Sequence, residues 1–143
     1  MKSFKLTAAT AILAVVGSAA LADTTAMADE DLIRTRDITG GNIYRMDVDV
    51  NDTMWRENDA YASVDAEWNT IGEIEDIVLN KDGQMIGIIA EIGGFLDIGD
   101  KHVMIPVENI RLTAVDDQTY GYVTNKTEEE LEAMEAVDEA FWN

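Results

Sequence analysis

Apolar residues gather along the middle of the chain in short blocks, each closed by a turn signal, and these blocks set the expected elements. Ile71, Ile74, Ile77, Val78 and Leu79 lie in one run that stops at Asn80-Lys81-Asp82-Gly83, and Met85 to Ile92 resumes it. Branched residues on both sides of an Asp-Gly pair predict a hairpin, because glycine takes positive φ at little steric cost and branched side chains favour extended backbone. Gly93-Gly94 closes the second strand. A further strand, His102 to Ile105, stops at Pro106, which has no N–H to give an interior ladder. Pro106 to Ile110 reads as a turn or a single helical turn, and Arg111 to Val115 with Thr119 to Thr124 as a closing hairpin across Asp116-Asp117-Gln118.

Upstream the pattern weakens. Leu32-Ile33 and Ile38 precede the turn Gly40-Gly41-Asn42 and the run Ile43 to Met46, which predicts a first hairpin. Asp47 to Asn69 keeps neither helical nor strand period and reads as a long loop pinned by Trp55, Tyr61 and Trp68, the tryptophans packing over the sheet. Downstream the period changes. Thr127-Glu128-Glu129-Glu130 fits a capping box, in which the Thr127 hydroxyl and the Glu130 carboxylate satisfy each other's backbone N–H groups. Leu131, Met134, Val137 and Phe141 then recur at helical spacing, predicting a helix to about Phe141 with one stripe docked on the domain.

The first residues belong to a different pattern. Lys2 and Lys5 precede an apolar run from Leu6 to Val16, and Ala20-Leu21-Ala22 follows, the order of a secretory signal peptide cleaved after Ala22. The run is shorter than the roughly 20 residues of a spanning helix. The chain is therefore divided into a signal peptide (1–22), a flexible acidic leader (23–31), a β domain (32–124) and an acidic amphipathic C-terminal helix (125–143), with the mature protein placed in the periplasm and no membrane span in it.

Charge narrows the partners. Among 143 residues, 29 are acidic and 10 basic, a formal net charge of −19, and loss of Lys2 and Lys5 with the signal would make it two units more negative. Nucleic acids and anionic lipid are bound by clustered Lys and Arg, so this balance points away from both and towards cations, basic partners or a solvated acidic surface. With no cysteine there are no disulfides, thiol nucleophiles or cysteine metal sites, and the fold must rest on its core.

The central residues carry a resemblance. Ile71-Gly72-Glu73-Ile74-Glu75-Asp76-Ile77-Val78-Leu79, then Asp82-Gly83, then Gly93-Gly94-Phe95-Leu96-Asp97-Ile98-Gly99, then Val103-Met104-Ile105-Pro106, resemble the PRC-barrel family in order and spacing. The resemblance covers Leu32 to Thr124, loosely before Trp68, and extends to small exported alphaproteobacterial members that end in an acidic helix and Phe-Trp-Asn, as here at Phe141-Trp142-Asn143. It implies a mainly β fold, a small, strongly bent PRC-type barrel with a C-terminal helix. It also implies no shared enzyme activity and a bias towards assembly and protein contact.

Candidate chemistry is sparse. The mature part holds one serine, Ser63, and one histidine, His102, without a nucleophile-elbow signature, so a catalytic triad is not expected. His102, at a strand start, reads as a surface or rim residue, since a lone histidine does not make a tight transition-metal site. Glu73 and Glu75, two apart, would share one face of a strand and could orient a proton or cation. Asp47, Asp49, Asn51 and Asp52 resemble the opening of a calcium loop, but Asp52 and Asn58 stand where such a loop needs glycine and a bidentate glutamate. Phe95, Leu96 and Ile98, set between glycines, either form a contact surface or fold back to plug the barrel. The expected protein is a non-enzymatic periplasmic module, without cofactor, working through contact with a protein partner or a second copy of itself as a homo-oligomer. The alternative is a calcium-binding protein using the Asp47 to Asp59 loop.

Overall fold

A computed structural model describes residues 32–93 and 101–138. The signal-like segment, the acidic leader, Phe95, Leu96 and Ile98, and Phe141-Trp142-Asn143 lie outside the described residues.

The described chain opens with a 3₁₀ turn at Thr35–Asp37, where Arg34 Nε sits 2.7 Å from Asp37 Oδ2. β1 (Asn42–Arg45) follows, then α1 (Thr53–Glu57), β2 (Ala60–Tyr61), β3 (Asn69–Leu79), β4 (Met85–Ile92) and β5 (Lys101–Pro106). A second 3₁₀ turn, Val107–Asn109, leads into β6 (Arg111–Ala114), β7 (Tyr120–Thr124) and α2 (Glu128–Glu132). The strands form one mixed sheet in the order β2-β6-β7-β1-β3-β4-β5, parallel at β1/β7 and β2/β6 and antiparallel elsewhere. This is the mainly β, strongly bent PRC-type architecture the sequence implied, although the sheet is not closed: β2 and β5 are its ends.

Local chemistry explains the central hairpin. Asn80 is its pivot: its backbone N–H donates to Gln84, its carbonyl accepts from Gly83, and its Oδ1 accepts from the amides of Asp82 and Gln84. Gly83 takes φ +83°, the positive angle the Asp-Gly pair was expected to supply.

The sheet bends around a cluster of Ile38, Ile43, Ile74, Ile88, Ala90, Ile92, Val103, Ile105, Ile110, Tyr122 and Leu131. Residues from β3, β4 and β5 meet Tyr122 of β7 and Leu131 of α2 there, so distant parts of the sheet share one interior. Burying each large aliphatic side chain contributes about 1.5–3 kcal/mol, which makes this cluster the main support of the fold. Alternate residues of β1 and β7 face the other way. Tyr44 and Val123 pack with Met46 and Trp55 in a second cluster, against which Val48, Tyr61, Val64 and Trp68 lie. The Arg111 guanidinium stands 4.5 Å from the Trp55 ring centroid, and Tyr61 meets Trp68 edge to face at 5.1 Å. The tryptophans thus pack on the sheet, and the irregular Asp47 to Asn69 segment contains α1 and β2.

Two expectations need correcting. Leu32 and Ile33 form no first hairpin: they are exposed, and β1 pairs instead with β3 and β7. The turn before β1 also looks outward, since Gly40 N–H donates to the Ile74 carbonyl and Ile74 N–H to that of Gly41, both at 2.8 Å. At the other end, the capping box forms as expected, with Thr127 Oγ1 accepting from Glu130 N–H and Glu130 Oε2 from Thr127 N–H. The helix does not run to about Phe141, however. It ends at Glu132, after which Ala136 bridges Val103 and Val137 N–H donates to the His102 carbonyl at 2.9 Å. The open edge of β5 offers backbone partners that compete with another helical turn, and Lys101 Nζ donates to the carbonyls of Glu132 and Met134, stabilising the helix end where it is. Among the described residues no helix is long and apolar enough to cross a membrane.

Candidate functional site

The outward face of β3, β4 and β5 brings together Glu73, Glu75, Glu91 and His102. Ala90 and Ile92 point into the core, so strand alternation turns Glu91 outward between them. Register then places Glu73 of β3 and His102 of β5 directly opposite Glu91, one on each side. His102 Nε2 lies 3.9 Å from Glu91 Oε2, with both side chains about 30% exposed.

Glu75 arrives there by an irregularity. The β3/β4 ladder pairs Ile74 with Ala90 but Asp76 with Ile89, leaving Glu75 as the extra residue of a bulge. Bulges of this kind re-aim a side chain. Here the result is that ligating atoms of Glu75, Glu91 and His102 all lie within 4.8 Å of one another.

Glu91 also lines a groove of about 390 Å³ with Asn42, Thr70, Ile71, Gly72, Glu73, Gly93 and Glu128. Among the described residues, no lysine or arginine lines it. Its floor depends on Gly72, where an added Cβ would stand 2.3 Å from the Glu91 carbonyl oxygen and 2.8 Å from Ile92 Cδ1. Gly93, at φ +98°, ends β4 beside α2, with Glu132 Oε1 only 3.0 Å from where its Cβ would be.

The residues singled out from the sequence divide sharply. Asp47 pairs with Arg45 at 2.9 Å. Asp49 Oδ1 accepts from the backbone and side-chain amides of Asn51, bonds that hold its carboxyl below the usual range. Asp52 caps α1 by accepting from Met54 N–H at 2.8 Å. Among the described residues, no three carboxylates of this loop converge, whereas Glu75, Glu91 and His102 do. Ser63 is exposed. Glu91 was not singled out at all, and the only sequence signal for it was the hairpin register counted outward from Asp82-Gly83.

Residues 64–131 match the model of the PRC-barrel domain family. Residues 64–131 are a PRC-barrel domain. No curated protein matches the chain. The matched part of the PRC-barrel domain takes in β3 to β7 and reaches Leu131, the core anchor of α2, so Glu73, Glu75, Glu91, His102 and Glu128 all fall within it. β1, α1, β2 and the Asp47 to Asp59 loop precede it.

Proposed function

We propose that this protein is an exported, non-enzymatic PRC-barrel module that acts in the periplasm by protein contact, receiving a basic segment of its partner in the groove of Glu73, Glu91 and Glu128. The observation that carries this reading is the lining of that groove: three carboxylates and, among the described residues, no cation, on a chain with a formal charge of −19. Such a surface attracts Lys and Arg side chains and speeds their encounter, and it repels a second copy presenting the same field. Homo-oligomerisation would therefore use other, apolar surface. Export rests on the Met1 to Ala22 pattern, and the absence of chemistry on the general character of PRC-barrels as non-catalytic modules. The calcium reading has less support, because Asp47, Asp49 and Asp52 are already engaged locally.

The test is fluorescence anisotropy with a short oligolysine peptide, comparing wild type with the double variant Glu73→Gln, Glu128→Gln. Binding that weakens at least tenfold in the variant, and falls with salt, supports the groove. Equal binding by both proteins removes it. Light scattering on the same samples reads self-association independently.

A further inference from the structure

We propose that Glu75, Glu91 and His102 form a binding site for a zinc-like divalent transition-metal ion on the outer face of the β3–β4–β5 sheet. One imidazole and two carboxylates are the nitrogen and oxygen ligands that zinc accepts, whereas calcium and magnesium favour all-oxygen shells. Three protein ligands leave a fourth position open to water or to a donor from a bound partner.

Geometry supports the same set. The donors come from three adjacent strands, with Glu91 and His102 in direct register and Glu75 brought beside them by the bulge. Ile74 beside Glu75, Ala90 and Ile92 on either side of Glu91, and Val103 beside His102 are fully buried, so one side of the backbone at each ligand is anchored in the core. His102 is fixed from the far edge as well, where its carbonyl accepts from Val137 N–H. Ligands at about 2.0–2.2 Å from a tetrahedral ion lie closer together than the 4.8 Å limit seen here. Side-chain rotation can close the gap, since Glu75 is exposed and Glu91 and His102 are partly exposed. Two neighbouring carboxylates repel each other on a sheet face, and a bound cation would turn that repulsion into attraction.

A lone histidine was no site in the sequence; the fold supplies the two glutamates it lacked. The site also differs from the contact groove, sharing Glu91 alone, and it does not depend on that reading.

His102 is the one histidine of the chain, which makes the test clean. The full chain, prepared without a polyhistidine tag and stripped with chelator, is titrated with zinc chloride by calorimetry while the imidazole resonances are followed by NMR. The expected result is one equivalent of zinc per chain, with the His102 signals moving in step. His102→Gln and Glu75→Gln should each weaken binding at least about tenfold. Millimolar calcium should not displace the zinc, and the groove variant Glu73→Gln, Glu128→Gln should still bind it. Absence of zinc binding overturns the proposal. So does zinc binding that leaves the imidazole signals in place or is equal in His102→Gln, which would mark diffuse attraction to an acidic surface.

Discussion

The two faces of β3, β4 and β5 are written by alternate residues of the same strands, yet they obey different rules. Inward, Ile74, Ile88, Ala90, Ile92, Val103 and Ile105 are all fully buried and pack on Tyr122 and Leu131. Outward, Glu73, Glu91 and His102 stand level across the sheet, with Glu75 beside them. The inner face is what holds the chain together. The outer face places the Glu73 and Glu91 carboxylates directly opposite each other, a like-charge pair that disfavours the fold. Strand alternation therefore separates folding from candidate function by a single residue, and the two can be perturbed independently.

The hardest way to break the inner face is Ile88→Ala. This side chain is fully buried, and its removal leaves a cavity among Ile74, Ile105 and their neighbours. A loss of about 2–5 kcal/mol is expected in denaturant unfolding. Gly72→Ala attacks the seam between the faces. Its Cβ would stand 2.3 Å from the Glu91 carbonyl, so β3 and β4 must separate, with an expected loss of about 1–3 kcal/mol and weaker oligolysine binding at the groove.

Acid provides a smaller and more distributed test, aimed at turns and caps rather than at either face. Asp37, Asp49, Asp116 and Glu130 all have carboxyls held below their ordinary values, Asp37 mainly by the Arg34 side chain and the others mainly by backbone N–H groups. A carboxyl whose folded pKa is lowered contributes stability above its unfolded pKa, about 4, and loses it as pH falls through the folded value. The unfolding midpoint should therefore drop between pH 5 and pH 3, estimated from those ordinary carboxyl values. Asp116→Asn should remove part of that dependence, since Asp116 accepts from Gln118 N–H, Thr119 N–H and the Thr119 hydroxyl. The smallest effect belongs to the outer face. Glu73→Gln should change stability by no more than about 0.5 kcal/mol, and upward, because it relieves the carboxylate opposite Glu91. A clear loss there would mean that the outer face supports the fold after all.

Much of this was readable before the fold. The Asn80 to Gly83 turn, the end of β5 at Pro106, the closing β6/β7 hairpin and the Thr127/Glu130 capping box follow from chemistry between residues a few positions apart. The PRC-barrel resemblance lay in that same central stretch. The first strand was read in place but its pairing was misread, because its partners are remote: β1 sits between β3 and β7, and nothing near Gly40-Gly41 says so. The C-terminal helix was overextended for a related reason. Ala133 to Val137 suits a helix by composition, but Lys101 and the open edge of β5, about thirty residues away, decide otherwise.

The candidate sites divide along the same line. The Asp47 to Asp52 carboxylates drew notice by their spacing, and their side chains turned out to serve neighbouring amides and Arg45. Glu75, Glu91 and His102 are spread over 28 positions of the sequence and carry no shared motif. The sequence by itself determined the central strands and their turns, the acidic character and the PRC-barrel resemblance, because these depend on local sterics, period and composition. Only the tertiary structure decided which residues meet, because strand register and the bulge at Glu75 are set by long-range packing of the isoleucine core, and a shift of one residue would send every outward group to the other face.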